Sequence, residues 1–142
     1  METGIKVGDC MKTSLVTVSD SASIISAAKK MAESGVSSLL VTNQRGIYGI
    51  VTERDLVVKA LANNNTSFLV RDICTKTLIS IPMEEDISVA ARLMGQRNVK
   101  RLVVMHGTKI VGIVSQKDLI SISPSLYDFI SEAPVSTKLK VY

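Results

Sequence analysis

Two short polar stretches carry the residues whose types and spacing could support binding chemistry. They read Thr52-Glu-Arg-Asp55 and Ser115-Gln-Lys-Asp118, and each follows the apolar tripeptide Gly-Ile-Val. A hydroxyl residue followed three positions later by an acid is the pattern of a capping box, which closes the first turn of a helix. The pattern alone favours this interpretation, which requires no ligand.

The basic residue inside each stretch indicates a second possibility. With Thr52 or Ser115 as the N-cap, Arg54 and Lys117 take the second helical position, where a cation opposes the helix dipole by about 0.3–1 kcal/mol. The same mismatch in both stretches suggests a purpose. A bound anion would reverse its sign, because free backbone N–H groups and the cation would attract the anion together. Both interpretations, a helix cap and an anion-binding site, are therefore consistent with the sequence.

Further cations precede one of the apolar runs. Lys100 and Arg101 stand at the start of the run Leu-Val-Val-Met. The earlier apolar run Leu-Leu-Val-Thr is preceded at the same positions by Ser37 and Ser38. Such a pair is unremarkable on a surface, but beside a helix start it would form a second wall of an anion site. We therefore expect two unequal sites, with the stronger phosphate binding on the side of Lys100 and Arg101.

The elements that position these residues occur twice. A shift of 63 residues aligns Val7–Leu56 with Val70–Leu119 without a gap, and sixteen of the fifty aligned pairs are identical. Each copy predicts the order strand, helix, strand, strand, helix. The first strands are expected at Leu15–Val18 and Leu78–Ile81.

Cap and turn signals set the bounds of the other elements. Ser23 and Asp86 are good N-caps for the first helix of each copy. Gly35 and Asn98 stand where a left-handed C-terminal residue is wanted. The connectors Asn-Gln-Arg-Gly and His-Gly-Thr-Lys have the composition of hairpin turns, which places the last two strands side by side.

The duplication predicts an α+β protein of two β-α-β-β-α domains, residues 1–63 and 64–123, with a tail at 124–142. A domain of about 60 residues buries too little surface to be comfortably stable alone. We therefore expect the copies to pack on each other with pseudo-twofold symmetry, helped by the small pairs Ala27–Ala28 and Ala90–Ala91. Clefts between the copies would then be favoured ligand sites.

Composition narrows the class of protein. Seventeen Lys and Arg residues against thirteen Asp and Glu give a net charge of +4, which favours anionic partners. No apolar run reaches the roughly 18 residues of a membrane helix, and the N-terminus does not read as a secretory signal. We expect a cytoplasmic protein without membrane association, in which Cys10 and Cys74 are reduced.

Three other functional classes fit the sequence less well. An enzyme is not expected, because His106 lies in a turn without a catalytic partner, and nothing groups His, Cys and carboxylates into a metal site. Nucleic-acid binding is an alternative, with a basic stripe formed by Arg97, Lys100, Arg101 and the tail Ser-Thr-Lys-Leu-Lys-Val-Tyr. An aromatic content of 4% argues against base stacking. A scaffold that dimerises without binding nucleotide is the third.

The repeated signature and the duplication together resemble a tandem pair of CBS domains, named for cystathionine β-synthase and also called a Bateman module. The resemblance rests on Gly-Ile-Val-Thr-Glu-Arg-Asp-Leu, Gly-Ile-Val-Ser-Gln-Lys-Asp-Leu and Asn-Val-Lys-Arg-Leu-Val-Val, and it covers residues 7–122. It implies a regulatory module that binds AMP, ADP, ATP or S-adenosylmethionine in one or both clefts. Mg²⁺ could accompany ATP, but no resident cofactor or metal is implied.

The resemblance also implies partners and residue roles. It implies flat homodimers, and we expect action in trans on an unknown effector protein. In such domains the signature aspartate bonds the ribose hydroxyls, here Asp55 and Asp118, and the preceding hydroxyl residue contacts ribose and phosphate, here Thr52 and Ser115. The other implied contacts are Ile50, Ile113 and the stretches Asp9–Ser14 and Asp72–Thr77 for the base, Val36 and Val99 as apolar contacts, and Arg54, Lys100, Arg101 and Lys117 for phosphate.

Overall fold

Each sequence copy forms a three-stranded sheet with helices, in a computed structural model that describes residues 2–131. The first copy contains β1 (Thr17–Ser19), α1 (Ile24–Ser34), β2 (Ser38–Asn43), β3 (Gly46–Thr52) and α2 (Glu53–Asp55). The second contains α3 (Val70–Ile73), β4 (Ser80–Pro82), α4 (Ile87–Arg97), β5 (Arg101–His106), β6 (Lys109–Ser115), α5 (Gln116–Ile122) and α6 (Tyr127–Ile130). The predicted α+β class with two β-α-β-β-α copies is confirmed.

The two sheets have the same topology. In each, the first strand runs parallel to the second, and the second pairs antiparallel with the third through the predicted hairpin. A register shift interrupts both hairpins at the same place, after Val41 and after Val104. The first strands begin at Thr17 and Ser80, later than predicted, which is the usual scale of error at strand ends.

The first helices of the two copies begin and end as the sequence predicts. Ser23 Oγ accepts a hydrogen bond from the backbone N of Ser26 at 3.0 Å, and Asp86 Oδ1 accepts one from the backbone N of Ser88 at 2.9 Å. Both helices end in a left-handed residue, Gly35 at φ 65° and Asn98 at φ 51°. Asparagine tolerates this conformation because its side chain bonds locally.

The second helices differ between the copies. In the first copy α2 changes after Asp55 into a π-helical turn, Leu56–Ala60, and then a 3₁₀ turn, Leu61–Asn63. In the second copy α5 continues as a regular α-helix to Ile122. Single π turns inside helices are rare and occur frequently at functional sites.

The chain folds into two compact units, each with its own core. One unit is Leu15–Leu78, and the other joins the residues up to Ser14 to those from Ile79 onward. The sequence-based domains at 1–63 and 64–123 follow the repeat, whereas these units follow contacts. The difference arises because residues up to Ser14 belong to the unit of the second copy, and residues 64–78 belong to the unit of the first copy.

The helix faces of the two copies are covered differently. Ala27, Ala90 and Ala91 are fully buried, but Ala28 is exposed. In the second copy α6 packs on α4, and an added Cβ at Gly95 would lie 2.5 Å from the backbone O of Phe129. A glycine at this position therefore lets the C-terminal helix approach closely.

The C-terminal residues up to Ser131 belong to the unit of the second copy. Leu126 is fully buried in its core, and Phe129 and Ile130 pack against the same cluster. The rest of the predicted tail, including its basic residues, lies outside the described residues. Within residues 2–131, no helix combines the length and apolar character needed to cross a bilayer.

Candidate functional site

A capping box closes the start of α2. Thr52 Oγ1 accepts a hydrogen bond from the backbone N of Asp55 at 3.2 Å. In return, Asp55 Oδ2 accepts hydrogen bonds from the backbone N of Thr52 at 2.9 Å and from its hydroxyl at 3.1 Å. Asp55 is 9% exposed, so these bonds satisfy one oxygen of a largely buried carboxylate.

The start of α5 repeats the box with fewer bonds. Ser115 Oγ accepts from the backbone N of Asp118 at 3.1 Å, and Asp118 Oδ2 accepts from the backbone N of Ser115 at 3.0 Å. The helix-cap interpretation of both stretches is thus confirmed. In each box, however, the aspartate uses only Oδ2, and Oδ1 points to other partners.

The Oδ1 atoms of the two aspartates have different neighbours. Lys59 Nζ lies 3.0 Å from Asp55 Oδ1, at i,i+4 spacing, and also donates to the backbone O of Ile73 at 3.0 Å. The nearest cation to Asp118 Oδ1 among the described residues is Lys12, whose Nζ is 3.9 Å away. That distance is too long for a hydrogen bond. The first carboxylate is therefore paired, and the second is largely open.

The residues that precede β2 and β5 lie beside the helix start of their own unit. The backbone N of Glu53 donates to Ser37 O, and the backbone N of Gln116 donates to Lys100 O, both at 2.9 Å. Gln116 Nε2 also donates to Val99 O at 3.2 Å. These bonds hold the residues that precede β2 and β5 against the helix starts.

The stretches predicted to line a base pair alongside the third strand of each sheet. Thr75 and Ile50 exchange two backbone hydrogen bonds of 2.9 Å, and Lys12 and Ile113 exchange two of 2.8 and 3.0 Å. Both isoleucines are half-buried beside these stretches. The structure thus brings the predicted base contacts to the strand that ends at the aspartate's helix.

Two glycines make that approach possible. An added Cβ at Gly49 would lie 2.7 Å from Thr75 O, and one at Gly112 would lie 2.9 Å from Lys12 O. Both distances are shorter than a side chain tolerates, so only glycine fits without a shift of the backbone. The glycine that opens each signature is a steric requirement of the site.

The other predicted site residues divide between surface and core. Arg54, Lys100 and Lys117 are exposed, and Arg101 is half-buried opposite Ser115 in the β5–β6 ladder. Val36 and Val99 are half-buried and pack against the cores of their own units. The backbone positions of these cations place them beside the helix starts. The two valines also have a packing role.

Several titratable groups near these elements are held neutral. Burial, and then a 2.8 Å hydrogen bond to Asp20, raise the pKa of Tyr48 to about 12. Burial is also the main reason why the pKa values of the free thiols Cys10 and Cys74 are raised. A thiol with a raised pKa is a weak nucleophile and a weak metal ligand near neutral pH.

The single histidine lies away from these sites. His106 Nδ1 is 3.0 Å from Glu84 Oε1, and both side chains are exposed to solvent. No group of three or more His, Cys, Asp or Glu side chains within residues 2–131 could hold a metal ion.

The sequence analysis did not identify Lys59 as a site residue, and it included Lys12 and Thr75 only as members of the longer stretches that the family resemblance implies. A signal for Lys59 was available, because a cation four residues after an acid on a helix is a common pair. Lys12 and Thr75 gave no such signal, since they reach the sites through pairing between distant parts of the chain.

Comparison with known proteins gives a consistent family match. A family model described as CBS domain matches residues 7–61 and 70–125. Protein MK0525 of Methanopyrus kandleri is 30% identical over 132 residues, which are 90% of this chain and 67% of that protein. The chain spans about two thirds of the length of the first curated relatives it matches.

Solved structures agree with this match. A conserved protein of Pyrococcus horikoshii superimposes with a TM-score of 0.78 at 27% identity, over 87% of this chain and 95% of the other. The CBS domain pair of protein MJ0100, in complex with 5′-methylthioadenosine and S-adenosyl-L-methionine, superimposes with a TM-score of 0.74 at 26% identity. That alignment covers 85% of this chain and 97% of the other.

Proposed function

The chain belongs to the CBS-domain family, and from this premise we propose that it is a regulatory module that binds an adenosine-containing ligand at the helix starts that carry its signature aspartates. We assign it no reaction of its own. Binding is expected to change how the module interacts with an effector protein, in trans, so that the ligand's concentration becomes the signal.

The observation that carries this proposal is the state of Asp118. Its capping box occupies Oδ2, while Oδ1 receives no hydrogen bond within the described residues, although the side chain is only 19% exposed. A carboxylate oxygen held at a sheltered position without a bonded donor is suited to accept hydrogen bonds from sugar hydroxyls. Helix capping and ligand binding are then compatible functions of one residue.

The surrounding residues supply the rest of an adenosine site. We propose that the base lies against Ile113 and the paired stretch at Lys12, and that the ribose bonds Asp118. Phosphate would be contacted by Ser115 and by nearby cations, Lys117, Lys100 and Arg101. The equivalent set in the first copy is Ile50, Thr52, Arg54 and Asp55, with Val36 and Val99 as the apolar contacts of the two sites.

The ligand class follows from charge and from a relative. The net charge of +4 favours an anionic ligand such as AMP, ADP or ATP, with Mg²⁺ entering only alongside ATP. The similar domain pair of MJ0100 is bound to S-adenosyl-L-methionine and 5′-methylthioadenosine, which share the adenosine group. We therefore propose recognition of adenosine first, with discrimination among nucleotides by the phosphate contacts.

We also propose that the module forms a homodimer in the cytoplasm. Several large apolar side chains on its helices are exposed, among them Ile25 at 51%, Val57 at 56% and Leu61 at 57%. We propose that these side chains are covered in the homodimer, because removing apolar surface from water favours association. Two free cysteines fit a reducing compartment. Analytical ultracentrifugation of the full chain, with and without AMP, tests the oligomeric state.

Calorimetric titration of the full chain tests the ligand proposal. AMP, ATP and S-adenosylmethionine are titrated into the native chain, Asp118→Asn and the control Asp128→Asn, an exposed acid of the same unit. Bonds to a charged partner contribute about 1.5–3 kcal/mol each, so Asp118→Asn should weaken binding at least about tenfold. The control should bind normally. If no probe binds the native chain, or if Asp118→Asn and Asp55→Asn both bind as it does, the proposal is wrong.

A further inference from the structure

The two signature aspartates differ in the hydrogen-bonding capacity that they keep. An ionised carboxylate has about four acceptor positions, two on each oxygen. Asp55 uses both positions of Oδ2 for the backbone N and hydroxyl of Thr52, and one position of Oδ1 for Lys59. Among the described residues, Asp118 uses a single position, for the backbone N of Ser115. About one position is left on Asp55 and about three on Asp118.

A ribose needs more than Asp55 has left. Its two neighbouring hydroxyls are two donors, and a carboxylate that holds both must offer two acceptor positions. Asp118 can accept both without any change, because Lys12 Nζ stays 3.9 Å away and its side chain is 76% exposed. Asp55 can accept both only after the Lys59 ammonium leaves Oδ1.

The position of Lys59 favours a stable pair. It lies four residues after Asp55, so both side chains are on one face of the helical segment. It also bonds the backbone O of Ile73 in α3, which helps to hold the ammonium beside the carboxylate. The π-helical turn Leu56–Ala60 contains Lys59 and has no counterpart in the second copy.

The second copy has no lysine at the corresponding helix position. The position aligned with Lys59 is Ile122, the last residue of α5, and its side chain is 45% exposed. The difference between a lysine and an isoleucine at one position thus matches the difference between a paired and an open carboxylate.

We propose that Lys59 is an internal competitor that closes the first copy's site to ribose, so that the module binds one adenosine ligand per chain, at Asp118. This inference rests on the proposed function and adds which copy binds and which residue decides. Lys59 acts through Asp55 and is therefore a positioning residue. The first site opens only when its lysine is displaced, which makes it a second, weaker response to high ligand concentration.

The test counts binding sites by calorimetry with AMP and S-adenosylmethionine as probes, using the full chain. The native chain should bind one equivalent tightly, and any second equivalent at least about tenfold more weakly. Asp118→Asn should remove the tight site, and Asp55→Asn should leave it unchanged. Lys59→Met should raise the tight stoichiometry from one to two equivalents, because Asp55 Oδ1 is released.

Two further variants separate this role from a structural one. Lys59→Arg keeps the charge and should keep the stoichiometry at one. Ile122→Lys, at an exposed position four residues after Asp118, should pair with that carboxylate and weaken the tight site at least about tenfold. Thermal unfolding of each variant identifies any that fail to fold. If Lys59→Met does not fold, the binding measurements on Lys59→Arg and Ile122→Lys provide the test.

The outcomes distinguish the inference from the function on which it rests. Two equal sites in the native chain, or a single site that persists in Lys59→Met, would overturn the inference and leave the module a ligand sensor. A native chain that binds neither probe would overturn both. Loss of all binding in Lys59→Met would also contradict the inference, because it would make Lys59 a ligand contact.

Discussion

The two copies share a backbone plan but differ in what occupies their functional positions. In the first copy the carboxylate of Asp55 is paired with Lys59, and in the second one oxygen of Asp118 receives no hydrogen bond from residues 2–131. The first copy also leaves Ala28 exposed on its first helix, whereas the second buries the aligned Ala91. Duplication has preserved the scaffold and changed the side chains at the proposed binding positions.

This difference shows how a duplicated fold can keep one backbone plan while individual side chains diverge. The residues that shape the backbone, such as Gly49 and Gly112, are the same in both copies because the same close approach recurs. Lys59 and Ile122 lie outside the paired strands, so this position can differ between the copies without loss of the sheets. Function can therefore become asymmetric while architecture stays symmetric in topology.

The largest predicted effect on stability comes from the glycines that open the two signatures, which both copies share. Alanine at Gly49 or Gly112 should destabilise its own unit by about 1–3 kcal/mol, because the new Cβ meets a backbone oxygen that cannot move independently of its strand pairing. Urea unfolding followed by circular dichroism measures the effect. Similar losses for both variants would sharpen the comparison, and no loss in either would show that the paired stretches are loosely held.

The next effect concerns the covered helix. Gly95→Ala would place a Cβ 2.5 Å from Phe129 O, so it should destabilise the protein by about 1–2 kcal/mol even though alanine favours helices. The matched reverse change in the first copy, Ala32→Gly, should cost about 1 kcal/mol from propensity alone. The two are distinguished by limited proteolysis: only Gly95→Ala should expose α6 to cleavage, and equal susceptibility would contradict the packing argument.

The smallest effect concerns the N-caps. Asp86 accepts hydrogen bonds from Thr3 and Gly4 as well as from Ser88, whereas Ser23 caps only its own helix. Asp86→Ala should therefore cost more than Ser23→Ala, with about 1 kcal/mol expected for a cap alone. Thermal unfolding near neutral pH compares the variants, and equal losses would mean that the N-terminal contacts add nothing.

The Asp86 effect should also depend on pH. Burial opposes ionisation, but hydrogen bonds from Ser88 and Thr3 outweigh it and hold the pKa of this carboxyl below its usual value. A lowered folded-state pKa contributes stability that is present above the unfolded value of about 3.9 and is lost as pH falls through the folded value. The gap between the native chain and Asp86→Ala should thus narrow on acidification below about pH 4, while that of Ser23→Ala should not.

Local sequence patterns were enough to predict most of the fold. The repeat, the caps at Ser23 and Asp86, and the hairpins are all encoded by residues close together in the chain, where propensity and spacing are informative. The capping boxes were one of two open interpretations, and the structure shows that a box leaves Oδ1 for other contacts. Pattern reasoning could not see this, because it does not assign individual carboxylate oxygens.

The part that could not be predicted depends on distant pairing. Lys12 reaches Ile113 and Thr75 reaches Ile50 through backbone ladders that no local pattern specifies. As a result, the sequence-based domain bounds and the compact units differ at both ends of each copy. The pairing of Lys59 with Asp55 was readable from its spacing, but its strength also depends on the bond to Ile73 in another element.

The most direct test of the account is a titration of the ¹⁵N-labelled chain with AMP, followed by backbone amide chemical shifts. The account predicts saturable shifts at Ser115 and Asp118, with Thr52 and Asp55 responding only at about tenfold higher AMP in the native chain. If AMP binds while the amides at both helix starts stay in place, the signature aspartates are helix caps only, and the proposed binding function of this module is contradicted.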